Sequence, residues 1–444
     1  MRGLETLPVA SALPFAGLLL SIALLPVAAP ALWHRHYPKI TAAWTGVFVL
    51  PFVVARGRQA VRALVHVALL DYLPFVVLLA ALYTIAGGIR LRGTLHGRPA
   101  VNAALLATGT LLASWVGTTG AAMLLVRPLL RANRARRHRA HTVVFFIALV
   151  ANVGGALTPL GDPPLFLGFL HGVPFAWTLG LWPETLLVGG CLLAAYLGHE
   201  LYFWRREDPA LREPPPGPRE PLGLEGAHNL VLLAVVLAAV VASGAVGAAG
   251  AHEAMGVVRD GILVAALVVS WLTTSRAVRE ANGYSWAPMR EVAILFAGIF
   301  ATMIPALAML RAGEAGPLAW LVGTVRTPAH FFWATGPLSS VLDNAPTYLT
   351  FLSTALGRLH PGVEEREAVL RLIGEHDVYL RAIAVGAVFM GANTYVANAP
   401  NFMVKAIAEE AGVRMPSFFG YVLRYALPIF VPIFALATWV FFGG

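Results

Sequence analysis

The sequence predicts an all-α polytopic membrane protein: about ten transmembrane helices plus two re-entrant hairpins in two inverted repeats, with broken helices at the midplane. Three observations predict it. Of the 444 residues 58% are hydrophobic and only 12% charged, with a mean hydropathy of +0.72, too little charge to cover a soluble surface. Apolar runs of spanning length recur along the whole chain. The two halves also repeat the same polar, Pro- and Gly-rich motifs in the same order.

The elements read in order as follows. The run 8–28 has neither an early basic cluster nor a small-residue cleavage site, so it reads as a retained span and not a signal peptide. Further runs fall at 40–56, 66–88, 141–171, 177–203, 227–249, 257–274, 291–310, 378–408 and 417–442. Stretches near 106–130 and 331–357 carry Gly, Pro and polar residues at their centres and read as hairpins. Segment 205–226, RREDPALREPPPGPREPLGLEG, is a charged, Pro-rich cytoplasmic linker. It separates a first repeat (1–204, hairpin near 106–130, broken helix 141–171) from a second (227–444, hairpin near 331–357, broken helix 378–408).

Residues 155–166, GALTPLGDPPLF, align without gaps on 391–402, GANTYVANAPNF, and five of the twelve positions agree. Thr158 falls opposite Thr394 and Asp162 opposite Asn398. Upstream, 107–120 resembles 334–346 with one gap, pairing Ser114 with Ser340 and Gly117-Thr118 with Asp343-Asn344. Loop charge supplies the inversion. Segment 131–140 holds five arginines and no acid and reads as cytoplasmic, whereas 358–377 carries Glu364, Glu365, Glu367, Glu375 and Asp377 and reads as periplasmic. Basic segments 34–39, 90–98 and 276–290 fall inside; Arg56, Arg58 and Arg62 disagree.

The net charge of +9 sits in short loops, where it orients spans, so nucleic-acid binding is not expected. The lone cysteine, Cys191, lies in an apolar run and excludes a disulfide framework. There is no P-loop, no nucleophile–base pair and no H-x-x-x-H spacing, so the chain does not read as an ATP-driven pump or an enzyme, and no cofactor is expected.

Proline removes a backbone donor and clashes with the preceding turn. Thr158-Pro159, Asp162-Pro163-Pro164 and Ala399-Pro400 should therefore break their helices at membrane depth, where freed N–H and C=O groups must line protein or a watery cavity. Carboxylate, amide and hydroxyl oxygens beside such breaks are hard ligands suited to Na⁺. Asp162 and Asp343 lead, because intramembrane carboxylates are costly and mark function; the alternatives are a helix cap for Asp162 and a turn residue for Asp343. Asn344 joins them as a candidate Na⁺ ligand. Thr158, Asn393, Thr394, Asn398, Ser340, Thr118 and Thr119 are supporting ligand candidates, with Asn152 and Asn401 weaker ones. Lys405 either pairs with an aspartate as a substitute cation or snorkels. Asp71 belongs either to a proton path or, with His171 and His199, to the interface.

The run NVGGALTPLGDPPLF (152–166) resembles the broken-helix signature of the ion transporter superfamily. That group contains NhaD-type sodium/proton antiporters, arsenite permeases and citrate carriers. The GG-x-x-T-x-x-GDPP pattern is most similar to the NhaD-type branch, and LSSVLDNAPTYL (338–349) resembles its second-hairpin motif. The longer run 155–175 is similar to a citrate-transporter-like (CitMHS-like) family. The resemblance implies a homodimer in a bacterial inner membrane, a scaffold and an elevator-like moving part, and site positions Thr158, Asp162, Asp343, Asn344, Asn393, Thr394 and Asn398. Two departures stand out. Dicarboxylate carriers place Ser-Asn-Thr at both tips, where this chain has VGTTG (116–120) and Asp343, an acid that would repel citrate. Leu165 follows Pro164 where the usual pattern has Asn.

The expected function is secondary transport, with Na⁺ or Li⁺ exchanged for H⁺ at one site. Burial favours the protonated form of a carboxyl, so one site can bind either ion in competition. The alternative is a Na⁺- or H⁺-coupled carrier of citrate, another small organic acid or an arsenite-like anion. A cationic side chain such as Lys405 or Arg127 turned into the site would favour the anion. Matched repeats favour alternating access over a channel.

Overall fold

The computed structural model describes residues 4, 6–212, 220–245 and 249–443. Among these, eight helices are long and apolar enough to cross a membrane. The pair Ala287–Thr302 and Ile304–Arg311, bent by 45°, makes a ninth, and His228–Gly244 is a shorter apolar helix. The molecule is an all-α, multi-pass membrane protein. Its large exposed side chains, such as Leu50, Val54, Leu272 and Trp439, are apolar, as lipid contact demands.

Element bounds differ from the sequence reading where polar residues were taken for loops. The basic segment 34–39 is helical, lying in Pro30–Arg56 with Pro38 inside. Gly57, at φ 48°, then turns the chain into the next helix, a backbone conformation that suits only glycine. That next span, Arg58–Ala86, starts well before residue 66 and includes a π-turn, Ala68–Tyr72, that carries Asp71.

Both hairpins form. Pro99–Val116 turns at Gly117 (φ 79°) into Thr118–Ala132. Pro328–Val341 turns at Leu342-Asp343 into Asn344–Leu359. Both long polar-centred runs are broken. Ala140–Leu149 gives way to a 3₁₀ turn, Val153–Leu157, and resumes as Pro163–Leu170. Glu365–Phe389 gives way to Met390–Asn393 and resumes as Ala399–Glu410. The stretch Ala140–Leu157 is 89% buried, against 17–33% for the other seven long apolar helices. The break thus sits inside protein, where its freed backbone groups find partners.

The linker is pinned at both ends. Glu207 accepts from the N–H groups of Arg137 (3.1 Å) and His138 (2.7 Å). Gly223–Glu225 pairs antiparallel with Arg90–Arg92. Its Pro-rich centre, 213–219, lies outside the described residues. The arginine-rich loop is also not wholly a solvated charge run. Arg136 is 4% exposed and pairs with Glu200, which also meets His141 (2.6 Å) and Asn102 (3.0 Å). A buried charge needs such partners, because desolvating it alone costs several kcal/mol.

Candidate functional site

Each hairpin tip is stitched to the break of its own half by the same bonds. In the first half, Thr158 Oγ1 donates to the Ser114 carbonyl and Ser114 Oγ to the Gly154 carbonyl (2.5 Å), while Leu160 N–H donates to Thr158 Oγ1 (3.1 Å). In the second, Thr394 Oγ1 donates to the Ser340 carbonyl (2.5 Å), Ser340 Oγ to the Met390 carbonyl (2.7 Å), and Val396 N–H to Thr394 Oγ1 (3.3 Å). Leu157 N–H and the Asn393 amide each donate to the corresponding serine at 3.0 Å. These bonds satisfy backbone groups that proline and the non-helical turns leave open. Glycine permits the approach. A Cβ on Gly161 would lie 2.1 Å from the Gly155 carbonyl oxygen, and one on Gly155 would lie 2.7 Å from Thr118 Cγ2.

The two breaks meet through amides. Asn398 Nδ2 donates to Asn152 Oδ1 (2.9 Å), and Asn152 Nδ2 donates to Asn401 Oδ1 (2.8 Å). Asn152 and Asn401, the weaker candidates in sequence, thus join the halves. The Asn398-x-x-Asn401 spacing, which fits a cap and its helix, is a local signal for Asn401, and Asn152 has no such signal.

Asp162 stands at the N-terminus of Pro163–Leu170, yet its carboxylate caps nothing. The reason lies in the next two residues: Pro163 and Pro164 have no N–H to offer. Leu165 N–H, the next donor, bonds the Asp162 carbonyl instead (3.1 Å). The freed carboxylate, 1% exposed, accepts from Thr118 Oγ1 (3.1 Å) and Asn344 Nδ2 (2.6 Å). The helix-cap alternative for Asp162 therefore fails. In the second half Asn398 does cap, accepting from Asn401 N–H (3.1 Å). Asp343 behaves as a turn residue, accepting from Ala345 N–H (3.0 Å).

A cavity lies where these parts converge. Asp162, Asp343, Asn344, Asn398, Thr118 and Thr119 line it, together with Phe75 and Leu82 of one long span and Met289 and Phe296 of another. Both aspartates thus face one space. Among the described residues, no Lys, Arg or His lines it. Asn344 Oδ1 is buried without a hydrogen-bond partner. With Asp162 this gives the pocket carboxylate and amide oxygens, donors that suit a hard cation or a proton. Thr158, Thr394, Ser340 and Asn393 do not line the cavity; their polar atoms make the braces just described.

Two further groups find partners. Lys405 pairs with neither aspartate; its Nζ lies 2.8 Å from Glu409 Oε2, one helical turn on, and 5.6 Å from the Tyr395 ring centre. Asp71 and His171 lie together. His171 Nε2 lies 3.6 Å from Asp71 Oδ1, and its Nδ1 lies 2.9 Å from Glu365, which also meets Arg311 at 2.6 Å. Burial alone would raise the Glu365 carboxyl, but His171 and Arg311 hold it down at about 2. Arg127 does not line the cavity, and its Nη1 is buried without a partner.

The family model described as "Putative citrate transport" matches residues 4–442. No curated protein matches the chain. With its broken spans and helical hairpins, this membrane chain belongs to the "Putative citrate transport" family.

Proposed function

We propose that this protein is a cation-coupled secondary transporter of citrate or another small organic acid. In this reading Asp162, Asn344, Thr118 and Asp343 hold the coupling Na⁺ or H⁺. The observation that carries it is the Asp162 carboxylate, freed from capping by two prolines, buried, held by two neutral donors and open to a cavity. A charged carboxylate at that depth costs about 3 kcal/mol or more. A bound cation or proton offsets this, so the loaded site crosses more readily than the empty one. The family's description supports the organic acid as cargo. With no basic side chain among the described lining residues, the acid enters beside the cation and shares its charge.

A second reading, Na⁺ or Li⁺ exchanged for H⁺, is favoured by one specific feature: among the described residues, two aspartates and no basic side chain line the cavity. In both readings the halves are inverted repeats, and each hairpin moves with its own break as one body in elevator fashion. The matched serine–threonine braces support that division. The resemblance of the motifs supports a homodimer in a bacterial inner membrane.

Solid-supported-membrane electrophysiology on proteoliposomes separates the readings. A current on citrate jumps that requires Na⁺ or a proton gradient supports the carrier. A current on Na⁺ jumps without any organic acid supports the antiporter and overturns the carrier.

A further inference from the structure

Outside the cavity, the segment joining the second hairpin to the second broken span brings three ligating side chains to one point. His360 ends the hairpin helix Asn344–Leu359 as its C-cap. Glu375 and His376 lie where Glu365–Phe389 kinks, with His376 at φ −141° and ψ 38°. The kink turns the His376 ring towards His360, with ring centres 5.8 Å apart. One ligand atom from each of His360, Glu375 and His376 lies within 4.8 Å of the other two. No other group of three His, Cys, Asp or Glu side chains among the described residues meets that criterion.

A second, independent observation points to a ligand. His360 is 8% exposed, and its Nε2 is buried with no hydrogen-bond partner. Buried ring nitrogens are ordinarily paired, so an unpaired one on a ring grouped with two further ligating side chains leaves a place for an electrophile.

We propose that His360, Glu375 and His376 form a binding site for a divalent transition-metal ion, with Zn²⁺ the best match. Two imidazole nitrogens and one carboxylate oxygen are a known zinc donor set, leaving a fourth position for water. Bonds of about 2.0–2.1 Å in a tetrahedron set donors about 3.3 Å apart, so the three atoms must close slightly. Glu375 is exposed and His376 half-buried, so both can swing towards the fixed His360. The ion's double charge exceeds the single negative charge of the ligands. The nearby Arg371 is engaged by Glu367 at 2.5 Å. None of the three ligands lines the cavity, so this is not the transport site. Bound metal would tie the far end of the second hairpin to the helix entering the second break. The hairpin helix that Asp343 starts and the helix leading into the second break would then move as one piece.

The test uses the full-length chain in detergent, stripped with a chelator and titrated with CoCl₂ and then ZnCl₂. The expected result is one Co²⁺ per chain, with the visible d–d absorption of a four-coordinate N/O site, displaced by Zn²⁺. Glu375→Gln should weaken binding by at least about tenfold. His376→Gln should abolish the absorption, with an unchanged elution profile as the folding control. The proposal is overturned if the wild-type chain gives no such absorption. Equal cobalt stoichiometry and affinity in wild type and the Glu375→Gln/His376→Gln double variant would overturn it as well. Because Glu375 is exposed, its single variant tests the site even if a histidine variant fails to fold.

Discussion

The two breaks share one scaffold and differ at one chemical step. Thr158 and Thr394 donate to the carbonyls of Ser114 and Ser340, and those serines donate to Gly154 and Met390. After the shared turn, the first half reads Asp-Pro-Pro-Leu and the second Asn-Ala-Pro-Asn. The Asn398 oxygen is spent on the Asn401 N–H, whereas Asp162, followed by two residues without N–H groups, keeps both carboxylate oxygens for Thr118 and Asn344. A matched pair of breaks thus gives one structural cap and one chemically available acid. The acid of the second half is moved to the hairpin tip, as Asp343. What makes the site is less the break itself than the absence of donors just after it.

The largest expected effect tests this difference directly. Asp162→Asn keeps the shape and the Asn344 neighbour but removes the charge, and substrate-driven current should disappear while the protein still elutes as a folded species. Retained current would transfer the coupling role elsewhere. Asp343→Asn should do less harm, because asparagine can still cap Ala345 N–H. One lost charge facing the ion should weaken cation activation by about tenfold, equivalent to ~1.4 kcal/mol. An equal and complete loss in both variants would mean that the two acids act as one unit.

The braces give the next effect. Thr158→Val and Thr394→Val each leave a buried serine carbonyl and a backbone N–H, of Leu160 or Val396, without their partner. Each should lower stability by about 1–3 kcal/mol, read as thermal unfolding in detergent. Near-equal losses sharpen the equivalence of the halves, and a large inequality breaks it. Smaller still is Pro164→Ala, which returns an N–H to the first turn after Asp162. A competing cap of ~1 kcal/mol should weaken cation activation about fivefold; unchanged affinity would show that the prolines do not free the carboxylate.

How much of this was legible depends on whether a residue's role is local. Thr158-Pro159, Asp162-Pro163-Pro164 and the Gly117 tip announce themselves, because proline and glycine act on their own backbone, so hairpins and breaks were readable. Asp162 and Asp343 stood out because acids are rare in apolar sequence. The division of labour was not readable. Thr158, Thr394, Ser340 and Asn393 have the chemistry of ligands, and only the position of two serine residues in space turns them into braces. Asp71, His171, Glu365 and Arg311 come from distant segments that folding joins, as do His360 and His376. The segment 34–39 looked like a loop because charge was read as solvent exposure, yet it continues an ordinary helix.

Lys405 is the smallest effect and the cleanest contrast. Its sequence position, in the helix that follows the second break, left it open between a counter-charge to an aspartate and a snorkelling side chain. The i,i+4 spacing to Glu409 carried the competing signal, and that pair forms. Glu409 is 44% exposed at its side chain, so the pair is solvated and contributes about 0.3–0.5 kcal/mol. Lys405→Ala should therefore leave both the charge moved per cycle and the cation dependence of the current unchanged, with stability shifted by at most about 0.5 kcal/mol. A changed charge per cycle would mean that the side chain leaves Glu409 during transport and reaches the cavity. The second break would then supply a charge after all, undoing the asymmetry between a structural Asn398 and a chemically active Asp162.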